Sequence, residues 1–255
     1  MQLLIEKNIL TVGEPIKVIF NTLYNESIEI RLYVSGITLL FDMEKKSKFF
    51  RTIFNKSIKW KIEKGEQLLT YPSWFPPSLG LKTFAIKWSL VSGVPRLGGK
   101  ILFPRKEIRL KAYPQKMISP SRSETIIIDR LFYKPGDVIY GTLNVTQGNI
   151  KDAVIELRVT EYLKSNERVY SYTYQFSSAD IKAIDNKSGE FVLKIPLDET
   201  VYDDRYIFYP YTFETKIDDK TIGVKSEIYA EIPNEFSDKQ EIIIEPREIK
   251  LQKVI

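Results

Sequence analysis

The sequence contains neither cysteine nor histidine. Without Cys there are no disulfides, no thiolate nucleophile and no thiolate metal site. Without His the Ser-His and Cys-His pairs, the HExxH zinc sites and nearly all transition-metal sites are excluded. Carboxylate-pair hydrolysis, Ser-Lys chemistry and oxygen-ligated calcium survive, and each needs residues of its own. Long apolar runs are missing too: no segment approaches the roughly 20 residues that carry a helix across a bilayer. Residues 1–7 lack the basic region, apolar stretch and small-residue cleavage site of a secretory signal, so the expected location is cytoplasmic. Met is scarce at 3 residues while Lys, Glu and Ile are plentiful, a balance that leans toward a thermophilic source. The 12 Gly and 13 Pro form no repeat of a fibrous or low-complexity kind.

What is present is a globular composition, 43% hydrophobic and 13% aromatic over 255 residues. The net charge of +5 hides an asymmetry. Residues 1–112 hold 19 Lys+Arg against 9 Asp+Glu, whereas residues 113–255 hold 19 against 24. The two halves carry opposite charge, which suggests different partners or faces.

Alternation at period two dominates, the pattern of strands with one buried face. Ile28, Ile30, Leu32 and Val34 share one side of their segment, as do Ile155, Leu157 and Val159, and as do Ile58, Trp60 and Ile62. Further strands are predicted near residues 3–9, 16–22, 84–91, 101–110, 125–132, 138–145, 169–176, 191–195, 207–216, 221–230 and 241–251. No long segment has helical periodicity, and the expected class is all-β, sandwich or barrel. Residues 113–123, with two prolines and three serines just before Glu124, read as a linker. The cut gives a basic domain at 1–112 and an acidic domain at 124–255. An internal repeat supports it. Gly13-Glu14-Pro15-Ile16 parallels Gly136-Asp137-Val138-Ile139, and Ile28-Glu29-Ile30-Arg31-Leu32 parallels Ile155-Glu156-Leu157-Arg158-Val159.

Phe132-Tyr133-Lys134-Pro135-Gly136-Asp137 followed by Ile139-Tyr140-Gly141 pairs an aromatic strand end with a Pro-Gly turn and a new strand. Pro135 suits the first central position of a type II turn and Gly136 the second. Gly141 within a strand suggests a bulge or a close backbone approach. The first half has a weaker copy at Gly13-Glu14-Pro15, and a proline-rich turn, Tyr71-Pro72-Ser73-Trp74-Phe75-Pro76-Pro77, ahead of Phe84, Ile86 and Trp88. In order and spacing these features resemble the arrestin superfamily, including the arrestin-like retromer subunit and sporulation-control M proteins. The resemblance implies two tandem immunoglobulin-like β-sandwich domains and a non-enzymatic adaptor or scaffold role with protein partners. No arrestin phosphate sensor or polar core is transferred to these residues.

Residues 44–64 carry eight Lys/Arg against two Glu, interleaved with aromatics. Lys45, Lys46, Lys48, Phe49, Arg51, Lys56, Lys59, Lys61 and Lys64 are the candidate partner- or anion-binding residues, for an acidic protein segment or a peripheral anionic membrane surface. The competing reading is a hairpin with Phe50, Phe54, Trp60 and Ile62 in the core and solvated lysines. Nucleic acid ranks below these, since the second half is acidic and no nucleic-acid module fits. Arg96-Leu97-Gly98-Gly99-Lys100 lacks phosphate-loop spacing and reads as a hairpin turn. Asp203-Asp204 and Asp218-Asp219 are acidic turns with calcium as their alternative. A hydrolase would rest on carboxylates such as Glu156, Glu161 and Glu214. No cofactor or metal motif is present, and homo-oligomer formation through an exposed sheet edge stays open.

Overall fold

The computed structural model describes residues 2–21, 27–42, 47–115, 119–166, 168–197, 202–203, 206–207 and 209–247. Its strands in chain order are β1 (Gln2–Ile5), β2 (Ile9–Thr11), β3 (Ile16–Asn21), β4 (Ile28–Asp42), β5 (Ser47–Ile62), β6 (Gly65–Leu69), β7 (Leu79–Gly80), β8 (Phe84–Arg96), β9 (Ile101–Tyr113), β10 (Ile126–Ile128) and β11 (Phe132–Tyr133). They continue as β12 (Val138–Asn144), β13 (Val154–Lys164), β14 (Val169–Ala179), β15 (Ile181–Ala183), β16 (Ser188–Lys194), β17 (Tyr202–Asp203), β18 (Tyr206–Ile207), β19 (Phe213–Ile217), β20 (Lys220–Ile232) and β21 (Phe236–Ile244). Among the described residues there is no α-helix, only one 3-10 turn at Ile150–Asp152. The chain is all-β, built as two sandwich bodies.

The first compact unit takes in residues 1–115, 201–209 and 248–255. A three-stranded sheet in the order β1-β3-β6 and a six-stranded sheet β2-β9-β8-β4-β5, with β7 on β8, form its layers. The alternation predicted for residues 28–34 is realised. Ile28, Ile30, Leu32 and Val34 are fully buried, and so are Val18 and Phe20 of the smaller sheet, with Leu69 nearly so. Burying a side chain of this size contributes about 1.5–3 kcal/mol, which is why an alternating strand has one stable face. The proline-rich turn closes one end of this core: Phe75 N donates to Pro72 O, Trp88 Nε1 donates to Pro76 O at 2.9 Å, and Tyr71 and Phe75, stacked on each other, each meet Trp88 edge to face.

The second unit takes in residues 116–200 and 210–247. Its sheets run β10-β12-β16-β15 and β11-β21-β20-β13-β14, with β19 on β20. This order repeats that of the first unit: β2 pairs parallel with β9 as β11 does with β21, and the other sheet pairings are antiparallel in both. The internal repeat read from the turn and strand motifs is a repeat of topology. Gly136 has φ +82° and Asp137 N donates to Lys134 O at 3.0 Å, the backbone that the Pro-Gly pair requires. Gly141 is the close approach rather than the bulge, because the Phe191 ring of β16 lies where a Cβ would be. Four predicted strands are corrected: residues 3–9 break between Ile5 and Ile9, residues 125–132 break between Ile128 and Phe132, and the strand predicted at 241–251 ends at Ile244. Residues 207–216 are not continuous either: β18 ends at Ile207 and β19 starts at Phe213, on either side of Pro210, which has no N–H for a ladder.

Residues 119–125 are bound to β21. Ser121 N donates to Glu241, Ser123 N to Gln240 Oε1 at 2.7 Å and Ser123 Oγ to Asp238 at 2.5 Å, while Thr125 Oγ1 donates to the same Asp238 oxygen. Gln240 Nε2 returns a bond to Ser121 O at 2.6 Å. Two of the serines that read as linker composition, Ser121 and Ser123, act as hydrogen-bonding groups.

Candidate functional site

The basic segment becomes one long strand, β5, at the end of the six-stranded sheet, paired with β4 along its length. Lys45 and Lys46 lie outside the described residues. Lys48 and Phe49 are described as β5 backbone only. Beyond them alternation separates the cations: Lys59 and Lys61 stand opposite Arg31 and Glu29 on the outer face, whereas Lys56 stands opposite the buried Val34 and shares the inner side with Phe54, Trp60 and Ile62. A register shift at Gly36/Ile37 puts Arg51 opposite Thr38, and Lys64 follows the strand's end. Phe54 and Ile62 are buried, Trp60 is half-buried, and Arg51, Lys59, Lys61 and Lys64 are exposed.

The outer face of the six-stranded sheet gathers cations that the linear segment does not contain. Arg31 of β4 lies between Lys59 of β5 and Val91 of β8. Tyr33 lies between Ser57 and Ser89, and Ser89 in turn lies opposite Arg109 of β9. Lys87 and Lys111 occupy outward positions on β8 and β9 by the same alternation. The face thus holds Arg31, Lys59, Lys61, Lys87, Arg109 and Lys111 against Glu29 and Glu107. At its β9 side a cleft of about 580 Å³ is lined by Asn8, Glu107, Ile108, Arg109 and Lys111.

Arg31 differs from its neighbours in being 6% exposed. Residues 97–100 form the predicted hairpin turn between β8 and β9, with Leu97, Gly98 and Gly99 at positive φ. The turn folds back so that the Arg31 guanidinium donates to Gly99 O and Lys100 O as well as to Glu29. Hydrogen bonding to Tyr33 and then to Glu29 raises its pKa further, so it stays charged. The acids of the face are bound in the same manner: Arg105 pairs with Glu107 at 2.7 Å.

The corresponding outer face of the second unit is laced with ion pairs. Arg158 bonds Glu156 at 2.7 Å, approaches Glu231 at 3.9 Å and stacks 3.5 Å over the Tyr229 ring, while Lys239 pairs with Glu227 and Lys225 with Glu241. The carboxylates considered for hydrolysis do not converge. Glu161 is buried on the inner side of β13, opposite in face to Glu156. Glu156 stands opposite Tyr229 and Glu214 opposite Gly223, six residues apart on β20, or about 20 Å along a strand. A glycosidase pair needs roughly 5–9.5 Å. Asp218 and Asp219 form the β19–β20 turn, where Asp219 pairs with Lys220 at 3.1 Å. Asp203 belongs to β17 of the first unit, and Asp204 lies outside the described residues.

Sequence reasoning found Lys59 and Lys61 and missed Arg31, Lys87, Arg109 and Lys111. The usable signal was the outward parity of each strand; what brings the four together is the pairing of β4 with the distant β8 and of β8 with β9.

No family model matches the chain, and no curated protein matches it in sequence. Among solved structures, squid arrestin is similar, with a TM-score of 0.52 at 9% identity over 98% of this chain and 95% of that one. At this identity the likeness is one of fold: the chain has an arrestin-like architecture. No helix among the described residues is long and apolar enough to cross a membrane.

Proposed function

We propose that this chain is a non-enzymatic scaffold that holds an acidic protein segment against the outer face of its first six-stranded sheet, in the cytoplasm and at times at a membrane surface. The observation that carries this reading is the collection of Arg31, Lys59, Lys61, Lys87, Arg109 and Lys111 on one sheet face with two acids, both engaged by neighbouring arginines. A flat cation-rich face attracts an extended anion by summed field rather than by a pocket, so its signature is a salt-sensitive association rate. The arrestin-like fold supports a holding role. So does the spacing of Glu156, Glu161 and Glu214, which gives no acid and base across a cleft.

The test uses the full chain with poly-glutamate, phosphatidylserine vesicles and single-stranded DNA as three separate probes. Lys59→Glu/Lys61→Glu/Arg109→Glu removes the face, and Lys48→Glu/Arg51→Glu/Lys56→Glu alters the rest of β5. Binding of poly-glutamate that weakens with salt and is lost in the first variant, at unchanged melting temperature, supports the proposal. Retention in that variant overturns the site. Binding only to vesicles or only to DNA replaces the acidic protein by the alternative partner.

A further inference from the structure

Two edge strands hold equivalent places in the two units. β5 ends the six-stranded sheet of the first, and β14 ends that of the second; among the described residues each pairs on one side only. An edge presents unpaired N–H and C=O groups to any strand that approaches, and charge along the edge is the common protection. β5 carries Lys48, Arg51, Lys56, Lys59 and Lys61 in its 16 residues. β14 reads Val-Tyr-Ser-Tyr-Thr-Tyr-Gln-Phe-Ser-Ser-Ala, 11 residues with neither a charge nor a proline. Val169 is 64% exposed, Tyr170 44% and Tyr172 45%.

A register shift between Leu157 and Arg158 skips Phe176, so the regular part of the edge is residues 169–175. That stretch is nearly symmetric about Tyr172: Tyr170-Ser171-Tyr172-Thr173-Tyr174. The tyrosines share one side, with the Tyr172 and Tyr174 rings 5.8 Å apart. The hydroxyls share the other, where Thr173 already bonds Thr160 at 2.8 Å.

We propose that β14 pairs with β14 of a second copy of this chain, antiparallel, about a two-fold axis at Tyr172. Tyr170 of one copy then lies opposite Tyr174 of the other, Ser171 opposite Thr173, and Tyr172 opposite its equivalent. Aromatic pairs and hydroxyl pairs are the matched neighbours that stabilise antiparallel ladders. A two-fold interface requires one surface to complement itself, and a symmetric, uncharged strand does so. A second copy is favoured over a foreign strand because the symmetry of 170–174 matters only when the segment meets itself. The outcome is one sheet running through both copies.

The absence of Cys makes the test direct, since a single introduced cysteine forms only an intermolecular disulfide. The full chain is expected to sediment as a dimer. Tyr172→Cys is expected to cross-link on mild oxidation, while Val192→Cys, on an exposed position of β16, stays uncross-linked. Tyr172→Lys places like charges on the axis and is expected to give a folded monomer with an unchanged far-UV circular dichroism spectrum, its melting temperature lower only by the lost association. A monomeric wild type, a dimeric Tyr172→Lys, or equal cross-linking at positions 172 and 192 overturns the proposal. So does a strand-like peptide captured at β14 by a chain that is itself monomeric.

Discussion

Tyr162 of β13 donates a hydrogen bond to Glu214 of β19 by laying its ring across Gly223 of the strand between them. A Cβ at residue 223 would come within 2.4 Å of the Tyr162 hydroxyl and 2.7 Å of Phe213 O. Burial, and then the bond to Glu214, push the phenol well above its ordinary range, so it remains a donor throughout the physiological span. Gly223→Ala is expected to destabilise the second unit by about 1–3 kcal/mol through overpacking, part of it against rigid backbone. Urea unfolding checks it, and Gly223→Ala/Tyr162→Phe should recover little, because Phe213 O still obstructs.

The same device occurs at Gly36 with Phe54 and at Gly141 with Phe191, where a Cβ would meet the ring at 2.2 Å in each. Each glycine faces its aromatic directly across an antiparallel pair. Gly141→Ala should cost about 1–3 kcal/mol, since the ring must leave its low-energy position. Truncating Phe191 in a Gly141→Ala/Phe191→Leu variant should restore part of that loss in thermal melts.

Arg31 ties the 97–100 turn to β4 through Gly99 O and Lys100 O. Arg31→Ala removes charged hydrogen bonds whose loss costs about 1.5–3 kcal/mol each at most, and it leaves Glu29 without its partner. The expected result is a lower melting temperature with faster amide exchange confined to residues 97–100. Arg31→Lys should rescue only partly, since an ammonium lacks the planar fork.

Acid should release the segment 119–125 from β21. At Glu241, burial raises the pKa but is outweighed by bonds from Ser121 and Lys225; at Asp238, burial is likewise outweighed by Ser123 and Thr125, so both carboxyls sit below their ordinary values. A depressed folded pKa means stability that is present above the unfolded value, about 4, and is lost as pH falls through the lower folded one. Amide exchange at Ser121 and Ser123 is expected to accelerate below pH about 4, and Asp238→Asn should show the faster exchange already at neutral pH.

The core was legible in sequence because its signal is local. Ile28, Ile30, Leu32 and Val34 are fully buried as the two-residue period requires, and Gly136 takes the positive φ that follows Pro in a type II turn. The outer basic face was only half legible. Lys59 and Lys61 stood out in a dense run, whereas Arg31 and Lys87 stand in other segments and Arg109 and Lys111 lie in a separate short run at 105–111. The run itself misled in one respect, since alternation sends Lys56 to the side opposite Lys59 and Lys61. The serines at 119–123 carried a linker signal by composition, although the Ser121 and Ser123 amides are matched to Glu241 and Gln240 and the Ser123 hydroxyl to Asp238.

By itself the sequence determined the all-β class, the repeated turn-and-strand order and the exclusion of histidine and cysteine chemistry, because each depends on residue type or on neighbours within a few positions. Only the tertiary structure decided which strands lie side by side. That choice placed four cations of other strands on the face of Lys59 and Lys61, set Tyr162 against Glu214 over a glycine, and left β14 at an edge. The reason is physical: period two fixes which side of a strand is buried, but sheet order is set by contacts between distant segments, which no local pattern encodes.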